Sequence, residues 1–107
     1  MNYGIKEEYW SRLESVFRNH KNIEKVILYG SRVKGTHRKY SDVDIVLAGE
    51  NIENREFTNI LNEIDDLLLP FLFDVSVYHT LSNANLIESI KKTGVVVYDN
   101  GSLCFTK

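Results

Sequence analysis

The stretch "LYGSRVKGTHRKYSDVDIVLAG", residues 28–49, contains the residues on which the fold and the chemistry of this chain depend. It ends an apolar run with Gly30 and Ser31, passes through basic residues, and begins a second apolar run with Asp42 and Asp44. A glycine directly after a strand permits a sharp turn and a close backbone approach to a ligand. The serine can offer its hydroxyl and its backbone N–H to a phosphate. The stretch therefore predicts two strands joined by a tight turn and a short helix or loop.

Asp42 and Asp44 lie at alternate positions of the strand predicted over residues 41–49, so we expect their side chains on one face of it. Two carboxylates so close together repel each other unless a cation lies between them. Mg²⁺ prefers such oxygen ligands, together with the phosphates of a substrate. The alternative is a pair of solvated aspartates at the start of a strand, because aspartate is common in turns.

Asp74 interrupts the apolar run "FLFDVSVYH", residues 71–79, which predicts a further strand. A carboxylate among apolar residues is unfavourable unless it is paired or bound to a metal. On a strand beside the other two acids, Asp74 would complete a two-metal site, binding one ion and helping to activate the attacking oxygen. An edge position, or a partner for a lysine or arginine, is the alternative.

Positive charge lies between the turn and the aspartates, and it could attract an anionic substrate. The residues are Arg32, Lys34, His37, Arg38 and Lys39. A solvated basic loop after an ordinary strand-to-helix turn would have the same composition. Two tyrosines, Tyr29 and Tyr40, flank the motif and could stack on a nucleotide base.

Apolar residues at helical or strand spacing predict the remaining elements on either side of this stretch. The helices are expected over residues 6–19, 54–69 and 83–92, the second of them ended by Pro70. Further strands are expected over residues 25–30 and 95–99. The alternation of helices and strands predicts an α+β fold, with helices packed on one sheet.

Length and composition indicate a single small domain over residues 1–107. The formal net charge of -2 favours neither direct nucleic-acid binding nor a membrane surface. No apolar run is long enough to span a membrane, and the N-terminal residues lack the pattern of a signal peptide. We therefore expect a cytoplasmic protein.

The spacing of the motif residues resembles a known signature. Gly30 and Ser31, ten residues, and then Asp42 and Asp44 form the pattern G-S-x10-D-x-D of the polymerase-β-type nucleotidyltransferase superfamily. Nearly the whole chain is similar to the minimal nucleotidyltransferases, or MNT proteins, the antitoxin components of HEPN/MNT toxin–antitoxin pairs. The resemblance implies the nucleotidyltransferase fold, in which a mixed β-sheet is packed with helices.

The same resemblance implies a role for each matching residue. Nucleotide and phosphate binding would fall to Gly30, Ser31 and Arg32. Two Mg²⁺ ions would be held by Asp42 and Asp44, with Asp74 as the third carboxylate, which would also help to deprotonate the acceptor hydroxyl. We carry no role over to the basic residues that follow Arg32.

The reaction implied by the resemblance is transfer of a nucleoside monophosphate, AMP from ATP, to a hydroxyl group, with release of pyrophosphate. The acceptor would lie on a HEPN-domain toxin, and the chain would act as its antitoxin. One alternative is a module of the same fold that neutralises its partner by binding alone. Another is a nucleotidyltransferase for a small molecule such as an aminoglycoside, although the chain shows no separate acceptor-binding domain.

Overall fold

The structure, a computed structural model, describes residues 3–36 and 42–104 of the chain. Within these ranges the α-helices are α1 (Glu7–Arg18), α2 (Ser31–Lys34), α3 (Asn54–Asp66) and α4 (Ala84–Thr93). The strands are β1 (Lys25–Tyr29), β2 (Val43–Ala48), β3 (Phe73–Val77), β4 (Val95–Asp99) and β5 (Ser102–Leu103). A 3-10 turn (Tyr78–Thr80) follows β3. No helix in these two ranges has the length and apolar character needed to cross a membrane.

The strands form a single five-stranded sheet in the order β3-β2-β1-β4-β5. β2 and β3 run parallel, whereas the β1–β2, β1–β4 and β4–β5 pairs are antiparallel. Parallel neighbours need a crossover connection, and α3 supplies it between β2 and β3. The predicted α+β fold, with helices packed on a mixed sheet, is therefore confirmed.

The two faces of the sheet bury different clusters of apolar side chains. Alternate residues of a strand point to opposite faces, and in β2 Ile45 belongs to the main core whereas Val46 belongs to a smaller one. The main core is completed by buried residues of α1 and α3, among them Trp10, Phe17 and Ile60. On the other face, α4 contributes Ile90 to the smaller cluster.

Several element boundaries differ from those expected from sequence. The strand expected over residues 71–79 is limited to Phe73–Val77, and a 3-10 turn follows it. The predicted helix over residues 54–69 ends at Asp66, because Leu68 adopts a left-handed φ of 53° that a right-handed helix cannot continue through. Pro70 therefore lies beyond the helix end and does not cause it. The strand expected from residue 41 begins at Val43, whose backbone N–H donates to the carbonyl of Leu72 at 2.8 Å.

A histidine between two glutamates joins the end of α1 to α3. His20 is 10% exposed, and its Nδ1 and Nε2 lie 3.0 and 2.7 Å from carboxylate oxygens of Glu56 and Glu63. Burial lowers the pKa of His20, but hydrogen bonds and the negative charges of the two glutamates outweigh it, so its pKa is raised. When protonated, the ring can donate from both nitrogens, which is the state that this pair of acceptors requires.

We expect replacement of His20 by glutamine to destabilise the fold by about 1–3 kcal/mol, since a charged hydrogen-bonded group is lost. A raised folded pKa means that the stabilisation is fully present below the ordinary value of 6.5 and is lost as pH rises through the folded pKa. Urea unfolding at about pH 5.5 and about pH 8.5 measures this difference across the histidine range. If the free energy of unfolding of the variant depended on pH as strongly as that of the parent chain, the pH dependence of the parent would not come from His20.

Candidate active site

Three polar side chains stand in one row across neighbouring strands. Tyr29 of β1 lies opposite Asp44 of β2, which lies opposite Asp74 of β3. Residues directly opposite each other in a sheet project from the same face. Asp44 lies two positions before Val46, so this face is the one that α4 partly covers. The structure therefore brings together two of the three predicted carboxylates, Asp44 and Asp74, on adjacent strands.

The third carboxylate, Asp42, precedes β2 by one residue and is exposed, as Asp74 is. Burial raises the pKa of Asp44, and the charges of Asp74 and Asp42 raise it further, against a lowering by Arg32. The charges of the other two acids thus act on Asp44. Such repulsion is what a divalent cation or a proton relieves.

Metal binding by these acids is not visible in the arrangement of the side chains. Within residues 3–36 and 42–104, no group of three or more histidine, cysteine, aspartate and glutamate side chains is arranged to hold a metal ion. Asp42, Asp44 and Asp74 are all inside those ranges. Their role as Mg²⁺ ligands stays a prediction, as do their catalytic roles.

Gly30 forms the floor of the turn beside Asp44. Its φ of 83° is in the left-handed region, which favours glycine. A Cβ atom added at this position would stand 2.5 Å from Oδ2 of Asp44, closer than any real contact allows. The sequence predicted that Gly30 lets the backbone approach a ligand closely. In the structure, Gly30 lies close to Asp44, one of the predicted metal ligands.

Arg32 is buried directly behind the turn, at 2% exposed. Its Nη1 donates to the backbone carbonyl of Tyr3 at 2.9 Å, and its guanidinium carbon lies 4.8 Å from the ring centre of Phe71. Burial lowers the pKa of Arg32, while the charge of Asp44 raises it. The guanidinium thus stands among core groups and acts on Asp44 through its charge. Direct contact between Arg32 and a phosphate stays a prediction.

Tyr29 completes the row but is only 8% exposed, so its ring presents little surface on which a base could stack. Burial and the charges of Asp74 and Asp44 raise its pKa, whereas a hydrogen bond with Ser76 lowers it. Sequence reasoning did not single out Ser76. Its position two residues after Asp74 on the same strand was the signal, because alternate residues share a face.

Part of the predicted basic loop can be placed. Lys34 is exposed at the end of α2, and Gly35 follows it as the helix cap. The remaining basic residues, His37, Arg38 and Lys39, and the candidate base-stacking Tyr40, lie outside the described residues. What they contribute to substrate binding stays a prediction.

Solved structures share this fold at low sequence identity. A toxin–antitoxin complex with AMP-PNP matches with a TM-score of 0.68 and 19% identity, over 89% of this chain and 74% of that chain. A tri-AMPylated HEPN toxin from Shewanella oneidensis in complex with MNT antitoxin matches at 0.65 and 16%, over 89% and 73%. A proposed nucleotidyltransferase from Sulfolobus solfataricus matches at 0.54 and 18%, over 98% and 96%. At such identities these likenesses show the fold.

Family membership rests on the sequence itself. A search of curated proteins found no match to this chain. Residues 11–102, however, match the family model described as "Polymerase beta, Nucleotidyltransferase", and this range includes the glycine-serine turn and all three acids. The chain therefore belongs to the polymerase-β nucleotidyltransferase family.

Proposed function

We propose that this protein transfers AMP from ATP to a hydroxyl group on a HEPN-domain partner protein, and thereby acts in the cytoplasm as its antitoxin. The observation that carries the proposal is the pairing of Asp44 with Asp74 on parallel strands, beside a glycine whose replacement by any larger residue would displace the Asp44 carboxylate. Carboxylates on adjacent strands beside an open turn suit a reaction in which charge neutralisation and positioning do most of the work.

The chemistry of the donor atoms suits Mg²⁺, although the described side chains are not arranged as a metal site. All three candidate ligands are carboxylates, the oxygen donors that this hard cation prefers together with substrate phosphates. Burial, and then repulsion by Asp74 and Asp42, raise the pKa of Asp44, and a cation bound by these acids would relieve the repulsion. Asp42 and Asp44 would hold the ions, with Asp74 as a further ligand. Ions held by these carboxylates would neutralise phosphate charge and so favour the departure of pyrophosphate.

The residues of the chain divide the remaining tasks. Gly30 lets the backbone approach the triphosphate, and the hydroxyl and N–H of Ser31 hydrogen-bond to its oxygens. Asp74 accepts the proton of the acceptor hydroxyl, whose oxygen then forms a bond to the α-phosphorus. The bond between that phosphorus and the bridging oxygen breaks, and pyrophosphate leaves with the electron pair. Arg32 moderates the charge of Asp44 from behind the turn.

The partner is inferred from proteins of the same fold. One of them is an MNT antitoxin in complex with an AMPylated HEPN toxin, and another is a toxin–antitoxin complex with AMP-PNP. This chain resembles MNT proteins over nearly its full length and contains the three acids that such a transfer needs. We therefore propose ATP as the donor and a HEPN-domain protein, encoded beside this chain, as the acceptor.

The proposal is tested by incubating the purified protein with ATP labelled at the α-phosphate, Mg²⁺ and the adjacent gene's product. We expect label on that product with the parent chain and none with the Asp42→Asn/Asp44→Asn variant. A control variant, Glu24→Gln/Glu50→Gln, removes the same charge from two exposed residues at the other end of β1 and β2 and should label normally.

The contrary result is binding without transfer. If the parent chain and the Asp42→Asn/Asp44→Asn variant both form a tight complex with the partner and neither labels it, catalysis on that partner is excluded. The chain would then neutralise its partner by contact alone. Toxicity assays in cells that express the partner with either version separate the two mechanisms, because protection survives the double substitution only under the binding mechanism.

A further inference from the structure

The segment that joins α3 to β3, residues 67–72, is apolar at every position. Its residues alternate in exposure. Three of them, Leu67, Leu69 and Phe71, are partly buried and pack against the main core. The intervening three, Leu68, Pro70 and Leu72, are exposed, and we call them the Leu68–Leu72 ridge. At 87% and 74% exposed, Leu68 and Leu72 are the exposed large hydrophobic residues of the described part of the chain.

Packing within the chain does not account for the residue at the start of the ridge. Leu68 adopts a φ of 53°, in a region that glycine or asparagine occupies readily and that is uncommon for a bulky side chain. It follows the end of α3, and its N–H donates to the carbonyl of Asp65 at 3.1 Å. A glycine or asparagine would end the helix equally well. A leucine that is both strained and exposed is therefore better explained by a contact outside the chain.

The other end of the ridge reaches the row of acids. The carbonyl of Leu72 accepts a hydrogen bond from Val43, the residue between Asp42 and Asp44. Leu72 lies two positions before Asp74. A molecule that presents a hydroxyl to Asp74 would therefore meet the chain two residues from Leu72.

We propose that the Leu68–Leu72 ridge is the docking surface for the protein that carries the acceptor hydroxyl, an inference that rests on the proposed function. Exposed carboxylates, those of Asp65 and Asp66, border the ridge at its helix end. Arg12 lies at the same end, where its Nη1 donates to the carbonyl of Leu67 at 3.4 Å. Acidic residues at this end disfavour nucleic acid and anionic membranes, whereas they complement a protein surface with an apolar depression edged by lysine and arginine.

The test removes the apolar side chains without harming the fold. Asparagine at position 68 tolerates the left-handed backbone, and threonine at position 72 suits an exposed position next to a strand. The variant Leu68→Asn/Leu72→Thr should therefore fold as stably as the parent chain. The matched control, Leu68→Met/Leu72→Met, keeps apolar surface of similar size and should behave as the parent does.

Calorimetry measures binding of each version to the HEPN-domain protein encoded beside this chain, and labelled ATP measures transfer to it. We expect Leu68→Asn/Leu72→Thr to raise the Kd and the KM for the partner by about tenfold to a hundredfold, as loss of two anchoring side chains does. Transfer at saturating partner, and the affinity for ATP, should be unchanged.

Three results would overturn the inference. Normal binding and transfer by Leu68→Asn/Leu72→Thr would place docking elsewhere and leave the proposed function intact. A parent chain that neither binds nor labels the partner would overturn both the docking proposal for the ridge and the proposed function. Sedimentation of the parent as a dimer that the same double substitution dissociates would show that a second copy of the chain covers the ridge.

Discussion

Replacing Gly30 by alanine should lower the rate of nucleotide transfer to about a hundredth of the parent rate. A misplacement of about 1 Å at a reacting centre has an effect of this size. The added Cβ would stand 2.5 Å from Oδ2 of Asp44, so the carboxylate must move. The left-handed φ of 83° adds backbone strain of about 1–2 kcal/mol for a residue with a side chain. Transfer of labelled AMP, together with thermal unfolding, measures both effects.

Gly101 offers a control for the backbone strain alone. Its φ of 97° is also left-handed, but an added Cβ would meet nothing within 4 Å, and the residue lies in the turn between β4 and β5. Gly101→Ala should therefore lose stability while each folded molecule keeps its activity. If Gly30→Ala and Gly101→Ala were equally active, the contact between Gly30 and Asp44 would have no bearing on the reaction.

Local sequence predicted the elements and the turn because the information for both is local. Helical spacing of apolar residues predicted α1 and α4, and an apolar run closed by the glycine-serine pair predicted a strand followed by a tight turn and a short helix or loop. The pairing of Asp44 with Asp74 was not readable in this way. It depends on the register between two strands that lie on either side of α3 along the chain, and long-range packing determines that register.

Arg32 and Leu68 show two further limits of local reasoning. Arg32 lies in a four-residue helix, which is too short for a periodic pattern to reveal which face is buried, so its position in the core could not be anticipated. Leu68 continues the apolar spacing of α3, and the sequence therefore predicted helix through it. The backbone of Leu68 instead has a left-handed φ, so the tertiary structure overrides the local preference for helix.

The substitution Asp44→Asn should lower the transfer activity and raise the stability of the fold. Burial and the charges of Asp74 and Asp42 raise the pKa of this carboxyl, so folding holds its proton more tightly than the unfolded chain does. Above the folded pKa the ionised form therefore lowers the stability of the fold, and the effect disappears below the unfolded pKa. A neutral asparagine removes that penalty at neutral pH, and we expect a higher Tm.

Activity should fall by about 10²- to 10³-fold or more, since a charged group at the reacting centre is lost.

Mg²⁺ should raise the Tm of the parent chain, as any ligand of the folded state does, but not that of Asp44→Asn. Glu50→Gln, an equal charge change at an exposed residue beyond the other end of β2, should leave transfer and the Mg²⁺ effect unchanged. An Asp44→Asn variant with a lower Tm and an undiminished response to Mg²⁺ would mean that this carboxylate supports the fold and does not bind the metal. A lower rate of transfer together with a higher Tm would instead indicate that the charge repulsion at this edge of the sheet serves the reaction and lowers the stability of the fold.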